Sequence, residues 1–322
     1  MNLDFSSSLT EKESSVPRRA GENYFVALGR KLWTDKVLYL MLFPTILFFI
    51  IFRVGPILNM RLAFFTFRAF DPWEFVGLRY FNMLFSTPVF TQIITNTLVI
   101  SFLRIVLIFP FVVLFAILLN EIRSNKFRKY VQIVSYAPNL FSWVVIASIW
   151  ITFLSVQNGA VNALLSALGL QTVDFMTNRD TIRGVIFTSM LWRTMGWDSI
   201  IYMITIFGIN RHLFEAAALD GANRVQIIRH VILPALYPAM TTIFILNFGF
   251  FLRSGFEHVF TFTNDAVQSR IDIIDTYVFR IGIQQGQFSF ASAAGLMQGA
   301  IGVFLILATH LLSKKFTGKG VW

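Results

Sequence analysis

The chain has 322 residues, of which 56% are hydrophobic and 14% charged, with 37 Phe, no Cys and a formal net charge of +10. Soluble domains carry about 25% charged residues, so this composition excludes an ordinary globular enzyme and fits a protein whose apolar runs lie in a membrane. Without Cys there are no disulfides, no thiolate catalysis and no thiolate metal sites, and in such a chain excess Lys and Arg marks cytoplasmic loops rather than nucleic-acid binding.

A hydrocarbon core about 30 Å thick needs roughly 20 apolar helical residues, because the backbone there must satisfy its own hydrogen bonds. Residues 1–36 mix Ser with charges of both signs ahead of any apolar run, which predicts a cytoplasmic tail and no cleaved signal peptide. The first predicted crossing is 37–58, with Arg53 able to snorkel near its outer end. Residues 64–88, rich in Phe around Asp71-Pro72-Trp73, are too apolar for a solvated linker and are expected to pack on the outer rim. The second crossing is 94–119 and carries Arg104; the basic cluster Lys126, Arg128 and Lys129 follows. From Tyr130 to Val173 there is no formal charge, and two crossings fit by length. Asn158, Gly159 and Asn162 break that run, however, leaving one crossing at 138–155 and a short amphipathic helix at 160–170 on the outer surface. The fourth, fifth and sixth crossings are 184–206, 231–252 and 288–312. Six crossings place both ends on one side, and the Lys/Arg excess on that side predicts that both termini are cytoplasmic. The fold class is thus an all-α membrane protein with a transmembrane region at 37–313 and a short cytoplasmic tail at 314–322.

Polar groups inside the crossings need a reason. Arg193 and Asp198 cost several kcal/mol against lipid, so they face protein or water. They either line a translocation path beside Trp192 and Trp197, rings of the kind that stack on sugar faces, or pair within the protein or with another subunit. Arg104 has the same readings. Asn247 either lines the path or bonds to a neighbouring helix. Gly295 and Gly299 form a Gly-x-x-x-Gly stripe expected at a close helix contact. Asp265, Asp272 and Asp275, with Glu257 and Arg270, read as solvated loop residues in preference to a calcium or protein-binding cluster. Outer arginines at 53, 61, 68 and 79 would help to hold a polyanion. His212, His230, His258 and His310 are too far apart in sequence for metal-ligand spacing.

The loop 207–234 carries the specific signal. Ala216, Ala217 and Ala218 follow Glu215 on one short helix, with side chains small enough for another backbone to approach closely. Asp220-Gly221 reverses the chain, Gly221 supplying positive φ. A second helix carries Val225, Ile228 and Ile232 on one face and ends at Leu233-Pro234. The spacing Glu215-Ala216-Ala217, Gly221, Val231 and Leu233-Pro234 resembles the EAA motif of ABC-importer permeases, with Val231 where Ile is usual. The first two crossings, Asn96-Thr97 included, and residues 273–298 are similar to the oligosaccharide and polysaccharide branch of that family, the alginate-importer type above all.

This resemblance implies a type I ABC importer permease of the bacterial inner membrane, with Glu215, Ala216, Ala217, Ala218, Asp220, Gly221 and Ala222 forming a coupling helix that docks into an ATPase subunit. It implies two ATP-binding subunits, a second, similar permease completing a heterodimer, and an extracytoplasmic substrate-binding protein. No Gly-x-x-x-x-Gly-Lys-Ser/Thr loop occurs, so the chain binds no cofactor itself, and ATP and Mg belong to the partners. An ion-gradient transporter or channel using Arg193, Asp198 and Arg104 as relays would be expected to show repeated halves or several acidic residues near mid-membrane; no repeat is present, and Asp198 is a lone acidic residue within the predicted crossings. A membrane enzyme of carbohydrate assembly would need clustered carboxylates or His at the interface.

Overall fold

The computed structural model describes Gly29 and residues 33–249, 251–252 and 255–317; most of the expected N-terminal tail and residues 318–322 lie outside the described residues. The chain divides into two compact units, Met1–Arg61 and Leu62–Trp322. In the first, α1 (Lys36–Phe49) passes through a π-helical turn (Ile50–Val54) into α2 (Gly55–Asn59), and no residue of either helix is buried. This apolar helix begins the first crossing, which runs unbroken over Lys36–Phe64.

The second unit starts with a small ribbon, β1 (Phe65–Thr66) pairing antiparallel with β2 (Glu74–Phe75), and α3 (Arg79–Ser86). Leu84, Tyr80 and Phe81 pack here against α4 (Pro88–Leu103) and the residues around Tyr277 and Ala294, so this Phe-rich loop is folded down as expected. A π turn (Arg104–Ile108) joins α4 to α5 (Phe109–Glu121), making one 34-residue span, Pro88–Glu121.

The third crossing departs from expectation. The basic cluster does not sit in a loop but on α6 (Asn125–Tyr136), which leads through a 3-10 turn (Ala137–Leu140) into α7 (Trp143–Leu154) at a 108° bend. The uncharged composition hid this corner. Pro138 lacks the N–H a continuing helix needs, and Ser142 caps the new helix by accepting the Val145 N–H at 3.4 Å. The amphipathic helix is present as α8 (Ala160–Ala167), but its sides are the reverse of a soluble helix: Leu164 and Leu168 are exposed, while Asn162 is buried.

α9 (Ile182–Phe207) spans 26 residues, about 39 Å, enough for the fourth crossing although Arg193 and Asp198 leave it less apolar than the others. Next come α10 (Arg211–Leu219), α11 (Arg224–Ile227), a π turn (Ile228–Ile232) and α12 (Leu233–Gly249); Arg224–Phe248 forms one 25-residue span. Leu233-Pro234 therefore does not end the second loop helix, which runs on into the fifth crossing. Short helices α13 (Phe256–Phe262), α14 (Gln268–Ile271) and α15 (Ile274–Phe279) precede a π turn (Arg280–Gln284) and α16 (Phe288–Thr317). The described residues thus hold four helices long and apolar enough to cross a membrane, five if the bent pair counts as one. The helix α16 continues through 314–317, where a tail was expected.

Three apolar clusters hold the second unit together. One joins α5, α9 and the start of α12 through Val113, Tyr202, Ile206 and Leu236, with Ile232 of the preceding π turn. Another packs Ala147, Ile186, Val259 and Ile271 between α7, α9, α13 and α14, and the third gathers Phe90, Ile93, Tyr277 and Ala294. Gly295 and Gly299 lie outside them, since a Cβ at either would meet no atom within 4 Å.

Candidate functional site

The loop between α9 and α12 is built by local capping. Asn210 accepts the His212 N–H at 3.0 Å and starts α10. At the other end Gly221, at φ 70°, turns the chain, and the Ala222 N–H reaches back to the Ala217 carbonyl at 2.9 Å. Asn223 and Gln226 then form a capping box, each side chain accepting the other's backbone N–H at 3.0 and 2.7 Å. Glu215 is held along its own helix by Arg211 (3.2 Å) and His212 (3.3 Å). Ala216, Ala218, Asp220 and Gly221 are exposed, while Ala217 and Ala222 are half-buried.

Phe214, Ile227, Ile228 and Ile232 anchor the loop on the cluster formed by α5 and α9. Val225, expected on that inner face, is instead 72% exposed, and Leu219 is 89% exposed. The helical period grouped Val225 with Ile228 and Ile232, but Val225 sits on the first turn of the short α11, and past Ile228 a π turn replaces the regular period. Sequence reasoning also missed an ion pair across the loop: Arg224 Nη1 lies 2.8 Å from Glu121 Oε2 at the end of α5. No spacing rule joins residues so far apart in the chain.

The pathway candidates separate. Asp198 and Asn247 line one cavity of about 330 Å³, which Arg104, Ser101, Thr194 and Tyr202 also line. Trp192 lines a different, wholly apolar cavity of about 280 Å³ with Trp150 and Phe153. Trp197 is exposed. Arg193 turns away to the bend before α7, donating to the Phe141 carbonyl from Nε (3.2 Å) and Nη2 (3.1 Å) and lying 4.3 Å over the Trp143 ring. A separation of five residues places Arg193 and Asp198 about 140° apart on the helix, so they serve different neighbours. Thr194 and Tyr202 flank Asp198 at four-residue steps, a signal the sequence did contain.

The acidic loop is not solvated as a whole. Asp272 is 3% exposed and accepts from Thr276 Oγ1 (2.7 Å) and from Arg280, while Asp275 accepts from Gln298 at 2.9 Å. Asn96 donates to the Asp272 and Ser269 carbonyls, and Thr97 accepts the Ile274 N–H, which ties this segment to α4. Among the described residues no three His, Asp or Glu side chains gather closely enough to hold a metal.

No family model matches the chain. It is 36% identical over 295 residues to the polygalacturonan/rhamnogalacturonan transport system permease protein YteP of Bacillus subtilis, covering 91% of this chain and 92% of that one. It superposes on the crystal structure of a bacterial ABC transporter involved in the import of the acidic polysaccharide alginate with a TM-score of 0.83, at 34% identity, over 90% of this chain and 99% of that one. A second structure, of the bacterial alginate ABC transporter in complex with the alginate pentasaccharide-bound periplasmic protein, gives 0.82 at 34% identity, over 91% and 99%. With its helices laid out as in these importers and a third of its residues shared with them, the chain belongs to the permeases of the sugar ABC transporters.

Proposed function

We propose that this permease is a membrane subunit of an ATP-driven, binding-protein-dependent importer of an oligo- or polysaccharide, and that α10 and its turn, Glu215 to Ala222, are its coupling helix. Two partner ATPase subunits, which hold ATP and Mg, close on nucleotide binding and carry the coupling helix with them. That motion passes through Arg224 and the π turn into α12. The path then opens to a substrate-binding protein outside, and hydrolysis resets it. A second, similar permease completes the path, and both termini of this chain lie in the cytoplasm.

The observation that carries the coupling assignment is the exposed run Ala216, Ala218 and Leu219, closed by Gly221 at φ 70°, with α11, just past that turn, continuous with a membrane span. A surface of small side chains lets another protein reach the helix backbone, and a continuous helix carries a push. Coupling of this kind requires only that the ATPase contact the helix differently in its two states.

The test is copurification. Gly221→Val places a β-branched side chain at positive φ, a conformation costing roughly 1–2 kcal/mol even for an ordinary L-residue, and Ala218→Trp fills the docking face. Either change is expected to strip the ATPase from the solubilised complex. Undiminished copurification with both, or ATP-independent uptake by this chain alone, contradicts the proposal.

A further inference from the structure

The cavity between α4, α9 and α12 is lined by polar and charged side chains, and beside it lies a hydroxyl that has no partner in the protein. Tyr202 is 2% exposed, yet its hydroxyl has no hydrogen-bond partner in the protein. Leaving a buried hydroxyl unpaired costs about 1–3 kcal/mol. The ring is fixed by an edge-to-face contact with Phe109, centroids 6.2 Å apart, and by the apolar cluster around it, so the hydroxyl keeps its position. The cavity is lined by Asp198 and Thr194 from α9, Ser101 from α4, Asn247 from α12 and Arg104, which opens a π turn. Turns of that kind collect at functional positions. Phe109, Phe244 and Phe251 supply the apolar remainder. A volume of about 330 Å³ is at the low end for ligand pockets and suits a saccharide chain that passes a ring or two at a time.

Arg104 and Asp198 carry opposite charges on this wall and act on each other electrostatically. Each would be costly alone at membrane depth. A guanidinium presents a planar fork that matches a carboxylate. Building on the importer assignment, we infer that the cavity is an exchange site for acidic saccharides. A uronate carboxylate takes the place of Asp198 at Arg104. Asp198, released, accepts from sugar hydroxyls, as Asn247 can on the opposite helix. The pair keeps the empty cavity neutral, and the arriving carboxylate brings a charge that Arg104 can take up. A neutral sugar has nothing with which to compete for that guanidinium.

The experiment uses the assembled importer, with both permeases, the ATPase subunits and the binding protein, in proteoliposomes. Its probes are trigalacturonate, trimannuronate and the methyl ester of each, which keeps the length and shape and removes the charge. The wild type is expected to import at least one free acid faster than its ester. Arg104→Gln is expected to reduce that preference by about tenfold, the scale of one charge-assisted hydrogen bond, and Arg104→Lys is expected to retain most of it. The double variant Arg104→Gln/Asp198→Asn leaves no lone charge to unfold the bundle and is expected to lose the preference equally. An acid preference unchanged in the assembled double variant overturns the inference while the importer assignment stands, as does wild-type uptake of neutral arabino-oligosaccharide with no uronate. ATP-driven uptake of no saccharide at all removes the importer assignment, and this inference with it.

Discussion

Gly196 marks where α9 and α6 come closest: a Cβ there would lie 2.2 Å from the Ser135 carbonyl oxygen and 2.5 Å from its carbon. Neither atom can swing aside, because both belong to a helix backbone. Gly196→Ala is expected to destabilise the solubilised chain by about 1–3 kcal/mol, read as a lower unfolding temperature, whereas Gly184→Ala, with open space around it, should leave it unchanged. Asn162 works by bonding where Gly196 works by size. Its amide donates to the carbonyls of Leu154 (3.0 Å), Ser155 (3.1 Å) and Val173 (3.0 Å) and accepts the Val173 N–H at 2.8 Å, pinning the segment after α7. Asn162→Ala should cost roughly 2–4 kcal/mol, since it strands several polar backbone groups at once; a variant as stable as wild type would contradict that role. In the sequence Asn162 was legible as a break in an apolar run but not as the buried side of α8. Helical period tells which residues share a face. Which face turns inward depends on the solvent, and beside a membrane the leucines can be the outer one.

At the scale of the helix, three of the four π turns have a common cause written in the sequence. Each ends two residues before a proline: Val54 before Pro56, Ile108 before Pro110, Ile232 before Pro234. A proline has no N–H for the carbonyl four residues back and crowds that carbonyl with its ring. Widening the preceding turn accommodates both without stopping the helix. This is why reading Leu233-Pro234 as a helix end failed: the span runs over Arg224–Phe248, seven residues earlier at its start than the 231–252 expected from apolar length. Pro234→Ala should restore regular winding and rotate α12 against the loop. The expected result is ATPase that still copurifies and still hydrolyses ATP, with uptake per ATP reduced several-fold; uptake per ATP equal to wild type would show that the π turn carries no motion. The Arg224–Glu121 pair gives a second test. Its partners are partly exposed, so it contributes about 0.2–1 kcal/mol to stability, and its effect should appear in coupling. Glu121→Arg and Arg224→Glu should each lower uptake per ATP, and the exchanged pair should recover most of it. Failure of the double exchange to do better than either single change would assign the contact no role.

For the molecule as a whole, the crossings were legible because a bilayer requires about 20 apolar residues wherever a helix traverses it. The loop 207–234 stood out in the sequence because its small residues and turn glycine stand at fixed spacing. The 108° bend before α7, the turn of Arg193 toward it and the cavity shared by Arg104, Asp198, Tyr202 and Asn247 were not, since each depends on which helices become neighbours. Everything above depends on α10 facing the cytoplasm as a docking element. The chain contains no Cys, so Ala218→Cys, at an exposed position, is a single reporter. In the assembled importer a membrane-impermeant maleimide should label it only in inside-out vesicles, fully after the ATPase is stripped away and poorly while it is bound. Labelling from the outer face of intact cells, or labelling indifferent to the ATPase, would contradict the account.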